Sequence, residues 1–178
     1  MRKLRYSVAM SLDGFIAGTK GEYDWIIMDP TIDFAAVYKK FDTALMGRRT
    51  FEVARQGPGA TIPGMKTIVC SRTLLSKDFP DVTIIANAER AVTALKAKPG
   101  KDIWLFGGAM LFRALLDARL VDTIEVSGIP ILLSQGVPLL PAGKRSPRLR
   151  LDESKAMPSG IVALNYSVDY DARKVLSR

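Results

Sequence analysis

Short runs of β-branched and aliphatic residues recur along this chain, and the segments between them carry apolar residues at helical spacing. That alternation constrains the fold more than any other feature. Strands joined through helices run parallel in one sheet, with the helices packed on its faces. The runs fall at 4–10, 43–46, 67–70, 82–86, 103–106 and 123–129. Helices are predicted at 32–41, 48–55, 87–97 and 109–120. The first places Phe34, Val37, Tyr38 and Phe41 on one stripe. The third begins at Asn87, a good cap, and stops before Pro99-Gly100. Two last runs, 149–155 and 161–170, are separated by "MPSG", whose residues suit a hairpin. The expected architecture is α/β, a mostly parallel mixed sheet with a C-terminal antiparallel hairpin. With 178 residues and no repeat or shift in composition, the chain reads as one domain, 1–178.

Several chemistries are excluded by what the chain lacks. It has no histidine, which removes His-based triads, imidazole metal ligands and the commonest general acid. It has one cysteine, Cys70, in the apolar run "TIVCS", so no intrachain disulfide forms and a buried inert thiol is expected. A metal site would need carboxylates alone, and none is expected. No apolar run approaches the ~20 residues that span a bilayer. The start, "MRKLRY", has no apolar region of the signal-peptide kind, so a cytoplasmic location is expected. The net charge of +8 favours anionic partners, either nucleic acid or phosphorylated small molecules.

The placement of charge separates those two. In open α/β sheets, ligands lie beyond the carboxyl ends of strands. The first strand is followed by "SLDGFIAG", the second by "GRRTFE", the third by "SRT" and the fifth by "GGAMLF". Gly107-Gly108 stands between a strand and a helix. It either lets a pyrophosphate approach the helix N-terminus or makes a tight turn. Arg48, Arg49, Ser71 and Arg72 follow two strands. If those strands are neighbours, guanidiniums and hydroxyls converge there, as the 2′-phosphate of NADP requires. A nucleic-acid binder would interleave basic residues with aromatics along a stripe. The basic run "GKRSPRLR" has no aromatics, so no nucleic-acid partner is expected.

The segments "MSLDGFIAG", "ALMGRRTFE", "IVCSRT", "WLFGGAMLF" and "LVDTIEVSGIPILLSQGVPLLP" resemble, in order and spacing, the dihydrofolate-reductase-like superfamily. Within it the resemblance is greatest to the reductase domain of the bifunctional riboflavin-biosynthesis deaminase-reductase. It implies a three-layer α/β/α fold and NADPH as cofactor. By the same resemblance Ala9 and Met10 meet the nicotinamide, and the following mobile loop, with Gly14, Ile16 and Gly18, closes over it. Gly47, Arg48, Arg49 and Thr50 line the phosphates. Ser71 and Arg72 meet the 2′-phosphate, and Gly107, Gly108, Ala109, Met110 and Leu111 hold pyrophosphate and ribose. On the substrate side it implies Trp25, Phe34, Val37 and Ser127, with Asp33 as the carboxylate that orients substrate and assists protonation. An acidic residue in a first helical turn also complements the helix dipole without catalysis.

The chain departs from the riboflavin-type domain after the second strand. The arginine-rich helix and "DDP" stretch that grip the ribityl phosphate there are replaced by "RRTFEVARQGPGA". The expected function is NADPH-dependent reduction of a small pyrimidine- or pteridine-like heterocycle. The alternative is a module that binds NADP without turnover. The apolar segment 126–141 is expected at a homodimer contact, with Ile131, Leu132 and Leu133 near it; burial in the core is the other reading.

Overall fold

The computed structural model describes residues 1–57 and 61–171. Eight strands form one sheet in the order β5-β4-β3-β6-β1-β7-β10-β9. These are β1 (Leu4–Ser11), β3 (Phe41–Gly47), β4 (Lys66–Cys70), β5 (Thr83–Ile85), β6 (Asp102–Gly107), β7 (Thr123–Ile129), β9 (Arg148–Ala156) and β10 (Val162–Asp169). The pairs from β5 through β7 are parallel; β10 pairs antiparallel with both β7 and β9. The mixed sheet with a closing hairpin is therefore as the sequence predicts. Two short strands were not foreseen. Phe15–Ala17 (β2) pairs antiparallel with Val137–Pro138 (β8) in a separate ribbon.

Alternation along the strands sorts the core onto two faces. Leu45, Ile68, Ile103 and Leu105 pack with Val92 of α3 (Ala88–Lys96) and with Phe112, Leu115 and Leu116 of α4 (Ala109–Asp117). Their neighbours Met46, Val69 and Phe106 join Phe51 of α2 (Arg48–Ala54) in a second cluster. Trp104, between Ile103 and Leu105, meets Tyr38 of α1 (Phe34–Tyr38) on that second face. Helices thus cover both sides of the sheet. The first cluster centres on Tyr6 and Phe112, whose rings stack at 3.8 Å and are both almost fully buried. Each such side chain contributes roughly 1.5–3 kcal/mol by leaving water.

Two helices end earlier than their periodicity predicts. The 32–41 stripe stops at Tyr38 because Phe41 is taken into β3, where it is buried and stacks on Trp104. The 109–120 helix stops at Asp117. Arg119 adopts φ 60°, so Leu120 N–H reaches Leu115 O (2.9 Å) and Arg119 N–H reaches Leu116 O (3.0 Å). That left-handed stop satisfies the last carbonyls, and Leu120 packs against the core.

The sheet edges are guarded. β5 has three residues. β9 is almost wholly exposed and carries Arg148, Arg150, Asp152, Glu153 and Lys155. Its register slips between Asn165 and Tyr166, where Asn165 faces Glu153 but Tyr166 faces Leu151, so Asp152 is an extra residue. The bulged Asp152 carboxylate accepts from Ser167 and Arg150.

The long connection from β2 to α1 is fastened by Asp29, which is 3% exposed. Its carboxylate accepts from Thr31 N–H (2.8 Å) and Thr31 Oγ (2.5 Å). The nearby polar groups of Ser159, in the β9–β10 turn, and of Thr31 hold its pKa down at about 2. A carboxylate with a depressed pKa stabilises the fold above its unfolded value of about 3.9, and that stabilisation is lost as pH falls toward 2. Asp29→Asn should therefore be less stable than the parent at pH 6. The gap between them should close between about pH 4 and 2; denaturant midpoints across that range measure it.

Candidate functional site

Parallel register carries several strand ends to one edge. Gly47 at the end of β3 lies opposite Cys70 at the end of β4, and Met46 lies opposite Gly107 of β6. The neighbourhood required for the arginines therefore exists. Arg48, Arg49 and Thr50 open α2 directly after Gly47, while Ser71 and Arg72 follow β4. Cys70 is beside them, but burial pushes its thiol pKa up to about 12, so it is a packing group.

The β6–α4 junction is built for close approach. Gly108 caps α4 with no side-chain hydrogen bond, so the first N–H groups of a nine-residue helix meet no capping side chain. Its φ of 106° is one that only glycine adopts without strain, and an added Cβ would lie 3.4 Å from Gly47 N and 3.5 Å from Gly47 Cα. A Cβ on Gly107 would lie 3.0 Å from Thr50 Cγ2. β3, α2, β6 and α4 thus meet closely through glycine backbone, and this glycine cradle, lined by the Thr50 side chain, lies beside helix N–H groups that no side chain caps. This fits a pyrophosphate. Ala109 is buried behind it, whereas Met110 is 72% exposed at the mouth; Leu111 packs against the main core.

The other arginine-side groups differ in their freedom. Arg48 is held by Glu52, with Nη1 to Oε1 at 2.8 Å. Arg49 and Arg72 have no ion-pair partner among the described residues. The Ser71 hydroxyl, almost buried, accepts from Thr73 N–H (3.1 Å) and Leu74 N–H (3.0 Å), which orders the turn carrying Arg72. It also lies 3.4 Å from Thr73 Oγ1, and either hydroxyl can donate in that pair.

After β1 the chain does not hang free. Ser11 Oγ donates to Asp13 (2.7 Å) and accepts from Phe15 N–H (2.9 Å). Asp13 also accepts from Leu133 N–H (3.1 Å) and Ser134 N–H (2.7 Å), across 120 residues of sequence. These bonds, Ser11 first, lower its pKa. Leu12 N–H reaches Ile131 O and Leu139 N–H reaches Gly14 O, each at 2.8 Å. Phe15 and Ile16 lie in β2, strapped to β8. The loop expected to close over the nicotinamide thus contains a two-stranded ribbon. Gly18 closes a turn in which its N–H meets Glu22 O at 2.9 Å, and the Glu22 carboxylate fills the space of a Cβ.

On the substrate side, Ala9 and Ser127 are register partners on β1 and β7. Phe34 and Tyr38 on α1 lead to Trp104 with centroids 6.1 and 5.7 Å apart in turn, and the Trp104 indole donates to Ser7 O at 3.0 Å. Tyr38 was expected on the same face as Phe34 and Val37, and Trp104 joins it there, a neighbour to which nothing local pointed. Phe34 and Val37 are half-buried. Trp25 is half-buried in the loop before α1, donating to Glu22 O at 3.1 Å. Asp33 is the cap of α1, and its Oδ1 accepts from Ala36 N–H at 2.9 Å. One of its oxygens is thereby spent on the helix, and the residue is exposed.

The family model described as the RibD C-terminal domain matches residues 2–163 of this chain. The protein YyaP of Bacillus subtilis (strain 168) is 34% identical over 177 residues, which cover 93% of this chain and 94% of that protein. Among solved structures, a pyrimidine reductase-like protein from Corynebacterium diphtheriae aligns at 18% identity with a TM-score of 0.74, covering 96% of this chain and 93% of its own. Dihydrofolate reductase from Enterococcus faecalis, complexed with NADP(H), aligns at 20% identity with a TM-score of 0.70, covering 94% and 96%. At these identities the two structures establish the fold.

The glycine cradle has a measurable consequence. Gly108→Ala forces φ 106° on a residue with a Cβ and sets that Cβ against Gly47 backbone. It should destabilise the protein by about 1–3 kcal/mol, read as a lower urea midpoint. The bulkier Gly108→Val should unfold more readily still.

Proposed function

The chain belongs to the RibD C-terminal domain family, and from that premise we propose that it is an NADPH-dependent reductase of a small pyrimidine- or pteridine-like heterocycle. The observation that carries this reading is the close packing of Gly47 on Gly108 at the start of α4, with Arg49 and Arg72 following β3 and β4 at the same sheet edge. NADPH, when bound, supplies the hydride. Gly107, Gly108 and the open N–H groups of α4 would hold its pyrophosphate, with Thr50 beside them. Arg49, Arg72 and the Ser71 proton would face the 2′-phosphate. Ala9 and Met10 end the strand that leads to the reacting ring. Phe34, Val37, Trp25 and Ser127, with Tyr38 and Trp104, would wall a flat substrate and exclude water. With no histidine, the proton comes from the uncapped oxygen of Asp33, from water, or from both. A cytoplasmic location fits this role, and no helix of the described residues is long and apolar enough to cross a membrane.

The first test is cofactor choice. Isothermal titration should show NADPH bound more tightly than NADH. Arg72→Ala should lose about 1.5–3 kcal/mol of NADPH affinity and little of NADH affinity. Equal affinities in the parent would remove the 2′-phosphate role from these arginines. Steady-state NADPH oxidation against dihydrofolate and the ribosylaminopyrimidinone of riboflavin synthesis then tests the substrate class. Tight NADPH binding without turnover of any heterocycle would favour a binding module.

We also propose a homodimer. Leu132 and Leu12 are 65% and 73% exposed on segments joined by the Leu12–Ile131 hydrogen bond, and Ile131 is at the surface beside them. A second copy would cover these apolar side chains. Light scattering after size exclusion should give twice the 19.5 kDa chain mass, and Leu132→Asp should shift the species to the single-chain mass. A monomeric parent at micromolar concentration would reject the dimer.

A further inference from the structure

Resting on the NADPH reading, we propose that Glu52 is a specificity-determining residue: it holds Arg48 in competition with the cofactor's 2′-phosphate and so limits affinity for phosphorylated dinucleotides. Arg48 is the first residue of α2, next to Gly47 and therefore at the glycine cradle. Its guanidinium is engaged one helical turn along, Nη1 to Glu52 Oε1 at 2.8 Å. Arg49 and Arg72, the other two guanidiniums of the cluster, have no such anion among the described residues. Glu52 thus does two things at once. It occupies the donor of Arg48, and it adds a negative charge to the helix that carries Arg48 and Arg49. The pair is 44% exposed on both sides, so it is loose enough to open. Surface pairs of this kind contribute little to stability, so its effect belongs to binding more than to folding.

The sign follows from charge. With Glu52 ionised, a 2′-phosphate meets two uncompensated arginines and a nearby carboxylate. With Gln at this position, the third arginine becomes available and the repulsion goes. Arg48 loses some pre-positioning in the exchange, which is the smaller effect because a glutamine can still accept one of its hydrogen bonds.

Adenosine 2′-phosphate and adenosine 5′-phosphate are suitable probes, because they isolate the 2′-phosphate from the rest of the dinucleotide. Isothermal titration of the parent, Glu52→Gln, Arg48→Ala and the double variant is the experiment. Glu52→Gln should tighten adenosine 2′-phosphate roughly two- to fivefold at low salt. It should leave adenosine 5′-phosphate unchanged, and the gain should fade at high salt. Arg48→Ala should weaken adenosine 2′-phosphate more in the Glu52→Gln background than in the parent. If the parent prefers adenosine 2′-phosphate but Glu52→Gln binds it no better, the role of Glu52 is overturned and the cofactor reading stands. If neither parent nor variant distinguishes the two probes, the 2′-phosphate site falls, and this proposal with it.

Discussion

Parallel pairing is the constraint from which the rest of the molecule follows. From β5 to β7 every neighbouring pair runs the same way. Parallel neighbours cannot be joined by a tight turn, so the chain must leave each strand at one edge and return to the other. Whatever follows β1, β3, β4 and β6 is therefore delivered to the same edge, although those strands are separated by tens of residues in sequence. Gly47 beside Cys70 and Met46 beside Gly107 are the register pairs that bring this about. The same rule places Ser127 next to Ala9.

Much of this was legible. The apolar runs gave all eight strands of the main sheet, and Asn87 did cap its helix, accepting from Arg90 N–H at 2.9 Å. What was illegible had physical reasons. Phe15–Ala17 and Val137–Pro138 are too short for a period to register, and their pairing joins segments far apart in the chain. Phe41 satisfies a helical stripe and a buried strand position equally well, and packing against Trp104 decides between them. The bonds from Leu133 and Ser134 to Asp13 leave no local trace. The link from Arg48 to Glu52 did have one, since the two stand four apart on a helix. The candidate site was read as a set of strand ends, and β3, β4 and β6 do bring theirs to one edge. Asp33, the residue expected to be catalytic, also has a structural occupation, because capping α1 satisfies an otherwise unpaired N–H.

The loops around the site depend on carboxylates where the layers depend on apolar packing. Asp13 gathers a hydroxyl from its own segment and two N–H groups from a distant one, and Asp29 gathers the N–H and hydroxyl of Thr31. One such group can replace a good deal of apolar contact in fixing a loop, because its several bonds are directional and charge-assisted. It also makes the loop's order depend on a few atoms. The sheet and helices would survive the loss of either carboxylate, while the geometry above the strand ends would not be held in the same way.

The guarded edge at β9 bears on how copies of this chain behave in a crowded solution. An exposed outer strand is ordinarily a template on which another chain can crystallise its own backbone, the first step toward fibres. Here the extra Asp152 kinks that template, and arginine and lysine would have to be stripped of water to lie against a newcomer. Strand-by-strand growth is blocked on this side, and the three residues of β5 offer little on the other. Colloidal stability of the chain is thus written into the same hairpin that closes the sheet.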